Sequence, residues 1–391
     1  MHFLWGISYS MIFSLLPIFI VEELGGSVRS FGLLEGAVIF LSFIAKIFAG
    51  FVMDIFRKKL PMLNIGTTLT IVSKFFLACA PSVFFVFISK SIDRFAKGLR
   101  HAPSDAILAE IATKKGYAYS MRYMVNLLGF SVGSVITSVI IRTIGKNFRL
   151  IFTLAIIPTL AAWHILKSRI KYDDKPAKDV EVEKQKWRIS DIKLLPSQYW
   201  TFMVIVVLLM GNRFSEGFIT LRAKDVLPEN TSNFPLFMTI YEIFAVLTAL
   251  CVGRFSDKFD KRKILLCGLG ILAVADTFGI VARDRFSVAF LYLLSGMHMG
   301  ATQGILSSII AEIAPKKLVC TAFMFFYLTE GVTVLCANLV AGVSFDLINS
   351  LSLPRSALPF TIGLVPCLAA LFLTQRWIKK QPLANVKEAR S

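Results

Sequence analysis

Charged side chains interrupt the long apolar stretches of this 391-residue sequence, and acids and bases occur there in equal number. The acids are Glu35, Asp93, Glu216, Glu242, Asp276 and Glu330, and the bases are Lys46, Lys74, Lys90, Arg94, Arg122 and Arg213. A charge at the centre of a bilayer costs about 2.5–3.5 kcal/mol on insertion scales, so these residues are expected to pair or to line a wet cavity. There they can carry protons or bind a charged solute, although structural ion pairing explains any single residue equally well.

Glu35 best fits a proton-binding role. A carboxyl group removed from water favours its neutral form and can take up a proton near neutral pH. Lys46 returns to nearly the same helical face eleven residues later, but it lies about 16 Å away along the helix axis, so the two side chains cannot pair. We therefore expect Glu35 to be the proton-coupling site.

One predicted helix carries a dense run of charges, namely Lys90, Asp93, Arg94, Lys97 and Arg100. A lipid-facing helix does not tolerate such density, so this helix is expected to face a cavity or the cytoplasmic edge. Asp93 and Arg94 are predicted to take part in proton coupling, and Arg94 also suits an anionic group of a solute. Lys97 and Arg100 are expected to form gate salt bridges with Asp54 or Asp105.

The remaining polar residues of the apolar stretches are predicted to face a solute cavity. They are Lys46, Lys74, Arg122, Asn126, Asn212, Arg213, Glu216, Tyr241, Glu242, Asp276, Gln303 and Glu330. Arg213 and Glu216 are three residues apart and are expected to pair, within a polar interruption that also suits solute contact. Gly129 and Gly133 share a face with Arg122 and are expected to be sites of close helix packing.

Composition indicates which class of protein must position these residues. Hydrophobic residues make up 55% of the chain and charged residues 17%, whereas soluble domains average about 25% charged residues. Because a membrane span takes about 20 residues, the sequence predicts an all-α, polytopic membrane protein with twelve transmembrane helices. The apolar runs cover roughly 2–22, 31–53, 61–80, 82–103, 117–142, 149–168, 199–222, 234–254, 263–282, 287–310, 318–345 and 356–377.

A long hydrophilic break divides the twelve spans into two groups of six. The predicted organisation is an N-terminal half (1–168), a cytoplasmic central loop (169–198), a C-terminal half (199–377) and a cytoplasmic tail (378–391).

The net charge of +18 indicates sidedness and not a nucleic-acid partner. Of 43 Lys and Arg residues, 28 lie in segments that face one side and nine in segments that face the other. By the positive-inside rule, both termini and the central loop are expected to be cytoplasmic, in a protein of the inner (plasma) membrane. These basic loops can also attract anionic lipid headgroups.

An internal repeat links the two halves. Residues 107–115 (ILAEIATKK) and 309–317 (IIAEIAPKK) are 202 residues apart, and Gly98 and Gly300 have the same separation. Two parallel six-helix halves with a solute site near mid-membrane are a known transporter architecture. The repeat therefore predicts two pseudo-symmetric halves.

Two loops at nearly the repeat spacing, GFVMDIFRKK from Gly50 and GRFSDKFDKRK from Gly253, carry the resemblance to a family. They resemble the G-x-x-x-D-[RK]-x-G-[RK]-[RK] loop of the major facilitator superfamily, which implies a gate built from a glycine contact, an acid and a basic cluster. The implied gate residues are Gly50, Asp54, Arg57, Lys58, Gly253, Asp257, Lys258 and Arg262. The first copy departs from the pattern at Ile55 and Arg57, and the second departs from it at Asp260.

Further segments resemble a bacterial branch of the superfamily. They are GLLEG at 32–36, DRFAKGLRHAPSDAILAE at 93–110 and LRA at 221–223. Arg94 followed by Gly98 matches the R-x-x-x-G of the family's fourth helix, whose Arg is associated with proton coupling. Ser134 stands where many exporters of the family have proline after the second glycine, which weakens the case for a drug antiporter.

The resemblance implies a secondary active transporter that works by alternating access, with a small-molecule substrate and protons as its partners. We expect proton-coupled export by a monomer, with proton symport or anion exchange for metabolite uptake as the alternative. The sequence holds no P-loop and no H-E-x-x-H, and its four histidines are scattered. We therefore expect no enzyme activity, cofactor or metal site, although a non-transporting receptor on the same scaffold stays open.

Overall fold

The structure is a computed structural model that describes residues 1–56, 59–111, 115–169, 194–228, 233–255, 259–315, 318–345 and 354–380. Every regular element in these ranges is helical, and helices occupy all twelve stretches that the sequence predicts to span the membrane. The protein is therefore all-α and polytopic, as predicted. Most of the predicted central loop (169–198) and of the predicted tail (378–391) lies outside the described residues.

The chain divides into two compact units. One comprises Met1–Gln185 with Glu229–Thr239, and the other comprises Lys186–Pro228 with Ile240–Ser391. The helices before the central loop are α1 (His2–Phe13), α2 (Leu16–Ile18), a π-helical turn (Phe19–Glu23), α3 (Val28–Phe56), α4 (Lys59–Ala78), α5 (Val83–Ile111), α6 (Lys115–Ile144), α7 (Phe148–Leu154) and α8 (Ile156–Arg169). Those after it are α9 (Ser197–Gly211), α10 (Glu216–Val226), α11 (Phe234–Phe255), α12 (Lys261–Val281), α13 (Arg285–Ile313), α14 (Val319–Ser344), a 3₁₀ turn (Arg355–Ala357) and α15 (Leu358–Lys380).

Among the described residues, ten segments are long and apolar enough to cross a membrane. They are His2–Glu23, Val28–Ala45, Lys59–Ala78, Met124–Ile144, Phe148–Arg169, Ser197–Val226, Phe234–Phe255, Lys261–Val281, Ala322–Ser344 and Arg355–Lys380. α5 and α13 occupy the other two predicted spans and are 29 residues long, but both are more polar. α5 carries its run of charges, and α13 carries His298 and Gln303 among small residues.

The predicted repeat is visible in the packing within each unit. In the first unit, α1 packs against α6 and α8, and α4 packs against α5 and α8. At equivalent places in the second unit, α9 packs against α14 and α15, and α12 packs against α13 and α15. Gly66 and Gly268, 202 residues apart, lie at the equivalent contacts: a Cβ on Gly66 would lie 2.9 Å from the carbonyl oxygen of Ala96, and one on Gly268 would lie 2.6 Å from Cγ2 of Thr302.

The glycines predicted to pack closely on α6 do so. A Cβ on Gly129 would lie 2.0 Å from the carbonyl oxygen of Phe3, and one on Gly133 would lie 2.4 Å from that of Ile7. α1 can approach α6 this closely only because both positions lack a side chain.

Candidate functional site

The first unit contains a buried ion pair between Glu35 of α3 and Lys90 of α5. Only 4% of the Glu35 side chain and 12% of the Lys90 side chain are exposed. Asp93 and Arg94, on the next turn of α5, act on Lys90 electrostatically. The predicted coupling residues therefore lie in one charged group. Lys90 was not among the predicted site residues, although a buried acid requires a nearby cation.

Lys74 of α4 is buried at a junction with the first and last spans of its half. Its Nζ donates to the hydroxyl of Ser8, which donates to the carbonyl oxygen of Ala155 and accepts from Thr159 at 2.8 Å. In the described part of the chain Lys74 makes no ion pair. Its ammonium group donates to the Ser8 hydroxyl instead, and the sequence offered no signal that singled out Ser8 or Thr159.

Two further bases of α5, Lys97 and Arg100, contact aromatic rings of α1. The Arg100 guanidinium lies 4.6 Å from the ring centre of Trp5, and the Lys97 ammonium lies 5.4 Å from that of Tyr9. Both are cation–π contacts with α1. The salt bridges predicted for these two bases stay predictions, because the side chains of Asp54 and Asp105 lie outside the described residues.

Arg122 and Asn126 occupy the same face of α6 as the packing glycines. Both are half-buried, and a Cβ on Gly6 of α1 would lie 2.2 Å from the carbonyl oxygen of Asn126. Asn126 therefore lies at the α1–α6 contact. The side chain of Lys46, also predicted to face the cavity, lies outside the described residues.

The seventh span is broken between α9 and α10, over residues 212–215. Ser215 begins α10 as its N-cap, and its hydroxyl accepts from the backbone N–H of Gly217 at 3.2 Å. The backbone N–H of Ser215 donates to Oδ1 of Asn338 on α14 at 2.9 Å. These bonds satisfy polar groups that a broken helix exposes at membrane depth.

Arg213, inside this break, reaches three groups of the second unit. Its guanidinium donates to Oε1 of Gln303, contacts the sulfur of Met299, and lies 4.0 Å from Oε1 of Glu330. Glu216 accepts instead from the hydroxyl of Tyr241 at 3.0 Å. The expected Arg213–Glu216 pair is therefore wrong, because the break removes the helical geometry that three-residue spacing requires.

Asp276 of α12 is only 3% exposed, and Oδ2 of its carboxyl group accepts from Nδ2 of Asn212 at 2.6 Å. Glu242, one residue after Tyr241, is half-buried. The second unit thus brings Asn212, Arg213 and Glu216 together with residues of four other helices. It does so in two separate groups, one around Arg213 and one around Asp276.

The predicted gate residues are only partly described. The side chains of Gly50, Asp54, Arg57, Lys58, Asp257 and Lys258 lie outside the described residues. Arg262 binds Asp260 at 2.8 Å and lies over the ring of Trp377, so the acid that departs from the family pattern is its partner.

A Cβ on Gly253 would meet no described atom within 4 Å, and its part in the gate stays a prediction. Gly296 and Gly300 of α13 make close helix contacts, in both cases with α11. A Cβ on either would lie about as close to α11, at 2.2 Å from the carbonyl oxygen of Tyr241 and 2.1 Å from that of Ala245 respectively.

The geometry of these buried side chains suits the movement of charge. Within the described ranges, no three His, Cys, Asp or Glu side chains are grouped so that they could hold a metal ion. The charged residues are instead carboxyl, ammonium and guanidinium groups, held in pairs by neighbouring helices. Such groups can bind protons and polar solutes inside a membrane.

Comparisons with known proteins agree with this architecture. The model of the Major Facilitator Superfamily matches residues 1–226 and 199–391. An uncharacterized MFS-type transporter of Methanocaldococcus jannaschii is 27% identical over 349 residues, 87% of this chain and 85% of that protein. A homolog of the multi-drug resistance efflux pump PmrA from Lactococcus lactis is 22% identical over 351 residues, 86% of this chain and 84% of the pump.

A crystal structure of a mutant of the nucleoside transporter NupG has the same fold, with a TM-score of 0.79 at 12% identity, and the match covers 96% of this chain and 97% of that one. Twelve helical segments, a repeat that recurs in the packing, buried charges and a family match along the whole chain point to one conclusion. The protein is a multi-pass membrane transporter that belongs to the Major Facilitator Superfamily.

Proposed function

We propose that the protein exports a small metabolite or amphiphile in exchange for protons, by alternating access. The observation that carries this proposal is the buried pair of Glu35 and Lys90. A proton that binds Glu35 removes its charge and leaves the Lys90 ammonium without its full counter-charge. Since a buried unpaired charge is costly, proton binding changes the relative stability of the arrangements of α3 and α5.

Asp93 and Arg94 supply the second step of this proposal. When Glu35 is neutral, Asp93 is the acid that lies one turn from Lys90 on the same helix, and both Asp93 and Arg94 act electrostatically on Lys90. A proton can therefore be exchanged between two carboxyl groups that share one set of bases. This role agrees with the Arg of the family's R-x-x-x-G pattern.

Solute binding is proposed for the group around Arg213. Gln303 is exposed, and Arg213, Glu216 and Glu242 are half-buried, so the group offers donors and acceptors. In the first unit, Arg122 and Asn126 are the proposed counterparts, with Lys46 and Lys74 as additional cavity residues. Tyr241 and Glu330 position Glu216 and Arg213.

Export is favoured over uptake by one comparison. The Lactococcus lactis relative is described as a homolog of a multi-drug resistance efflux pump, and it aligns with 86% of this chain. Uptake by proton symport or anion exchange is the alternative, and the direction of flux separates the two.

The gate loops and the sidedness belong to the same proposal. Both termini are proposed to be cytoplasmic in the plasma membrane, and the transporter is proposed to work as a monomer. Asp54 and Asp257 are proposed to stabilise one open state each. Asp54→Asn and Asp257→Asn should each slow the exchange between inward-open and outward-open states in an accessibility assay, and unchanged exchange in both would remove these residues from the gate.

The test of coupling uses purified protein in liposomes with and without an imposed pH gradient. A panel of labelled nucleosides, sugars, amino acids and cationic dyes identifies the transported solute and its direction. Glu35→Gln should then abolish transport driven by the pH gradient while solute binding is retained. Glutamine still accepts a hydrogen bond from Lys90 but cannot exchange a proton.

The matched control is Glu23→Gln. Glu23 also belongs to an ion pair of the first unit, with Arg149 at 2.9 Å, but 32% of its side chain is exposed. Gradient-driven transport should survive this change. Flux in Glu35→Gln that equals the parent's and responds equally to the gradient would contradict the proposed coupling.

A further inference from the structure

Asp276 is a buried acid that the proposed transport mechanism does not use. It lies in the second half of α12, five residues before the helix ends, and is 3% exposed. Its partner in the described residues is the amide of Asn212, which ends α9 and begins the break in the seventh span. An acid at this depth with a neutral partner requires an explanation.

Among the residues that the structure describes, no cation acts on Asp276, whose one side-chain partner is Asn212. The thiol of Cys367 on α15 also lies near this pair, whereas His298 of α13 bonds to the carbonyl oxygen of Gly268, two turns earlier in α12. Arg222 of α10 binds the carbonyl oxygens at the end of α12. A carboxylate without a counter-ion in such surroundings is far less stable than the neutral acid.

The hydrogen bonds of Asn212 also indicate that Asp276 is neutral. Asn212 is 3% exposed, and its Oδ1 is buried without a donor in the described part of the structure. A neutral Asp276 carries the donor that is missing, because its O–H can bond to the amide that already donates to its other oxygen. If the amide is turned by 180°, the 2.6 Å contact joins two oxygens, and Asp276 must again be the donor.

The repeat supports a special role for this position. Asp276 lies 202 residues after Lys74, so the two residues are equivalent in the two halves. Each is buried and bonds to a polar side chain of the first span of its half, Ser8 for Lys74 and Asn212 for Asp276. The first unit gives its cation a hydroxyl acceptor, whereas the second gives its acid an amide donor.

We propose that Asp276 is held as the neutral carboxylic acid and forms a two-hydrogen-bond pair with the Asn212 amide. This pair fixes where the seventh span breaks. Arg213 follows Asn212 directly, so Asp276 is a positioning residue for the group around Arg213. The inference does not depend on the proposed coupling at Glu35.

Infrared spectroscopy of the purified protein tests the protonation directly. The difference spectrum between the parent and Asp276→Asn at neutral pH should contain one carbonyl band of a protonated carboxyl group. Glu35→Gln should leave that band in place, because Glu35 is paired with a cation. Asn212→Leu should shift the band to higher frequency, since the acid carbonyl loses its donor.

Thermal unfolding separates positioning from simple packing. Asp276→Asn keeps a neutral group that can form the same pair with Asn212, so its melting temperature should stay close to the parent's, whereas Asp276→Ala should lower it by several degrees. A difference spectrum without the protonated-acid band would overturn the proposal. So would a band that does not move in Asn212→Leu, or an Asp276→Asn variant as unstable as Asp276→Ala.

Discussion

Lys90 of α5 donates to the carboxylate of Glu35 on α3, and this ion pair joins two helices of the first unit away from water. Each side chain depends on the other for its counter-charge, because a single buried charge destabilises the protein far more than a buried ion pair does. The pair therefore couples the charge state of one side chain to the contact between two helices.

Lys90→Met should destabilise the protein by about 3–5 kcal/mol, because it leaves the Glu35 carboxylate buried without its cation. The double variant Glu35→Gln with Lys90→Met removes both charges and should recover most of that loss. Thermal unfolding in detergent measures four proteins, namely the parent, Lys90→Met, Glu35→Gln and the double variant. Recovery in the double variant is the sign of a true pairwise interaction.

An exposed ion pair of the same unit is the control. Arg149 and Glu23 have side-chain exposures of 45% and 32%, so Arg149→Met should cost only about 0–1 kcal/mol. If Lys90→Met and Arg149→Met lowered the free energy of unfolding equally, the buried ion pair would contribute no more to stability than the exposed one.

Gly129→Ala should separate α1 from α6. The new Cβ would lie 2.0 Å from the carbonyl oxygen of Phe3, so the backbone must move, at a cost of about 1–3 kcal/mol. Gly270→Ala is the matched control, since Gly270 lies inside α12 and a Cβ there meets nothing within 4 Å. That change should be neutral or stabilising by about 0.5–1 kcal/mol, because alanine favours helix. Equal melting temperatures for the two variants would contradict the contact.

The membrane class, the twelve helical stretches and the repeat could be predicted because each depends on local composition and spacing. The close packing of Gly129 and Gly133 followed from the same information, since small residues on one helical face favour contact. The family match agrees with these predictions and does not bear on the individual site residues.

Pairings between helices could not be predicted in the same way. The sequence indicated which charges are buried, but the partner of Glu35 depends on how α3 packs against α5, 55 residues along the chain. Arg213 and Glu216 illustrate the limit, because their spacing predicted a pair that the break in the seventh span prevents. No proline marks the break in the sequence of the seventh span. The hydrogen bond that stabilises it joins the backbone N–H of Ser215 to Asn338 of α14, which is distant in the sequence.

Asp260 should make the stability of α12 depend on pH. It is the N-cap, accepting from the backbone N–H of Arg262 at 2.9 Å, and it also binds the Arg262 guanidinium. Burial favours the neutral acid, but the hydrogen bonds and charge of Arg262 outweigh burial, so the pKa of Asp260 is lowered from its ordinary value of 3.8. The stabilisation is therefore complete above the ordinary pKa and is lost as the pH falls through the lowered value.

Asp260→Asn keeps the capping oxygen but not the charge. Its melting temperature should lie below the parent's at neutral pH, and the difference should shrink as both proteins are acidified. A difference that is constant across this range would show that the charge of Asp260 contributes nothing to the stability of α12.

The side chain of Arg222 caps the C-terminal end of α12. Its guanidinium donates to the carbonyl oxygens of Gly279 and Ala282, each at 2.8 Å, and to the hydroxyl of Ser356 at 3.0 Å. The last carbonyl groups of a helix lack partners within the helix, and a side chain from elsewhere in the chain is one group that can supply them. Arg222, 2% exposed, takes this place in the second unit.

Arg222→Met should therefore lower the free energy of unfolding by roughly 3 kcal/mol or more, because several buried carbonyl groups lose a charged donor at once. Arg222→Lys should recover only part of the loss, since one ammonium cannot reach the spread of acceptors that a planar guanidinium reaches. Arg283→Met is the control from the adjacent loop, where the side chain is exposed, and it should have little effect. Thermal unfolding ranks the four proteins, and a lysine variant as stable as the parent would show that charge alone, and not the geometry of arginine, ends this helix.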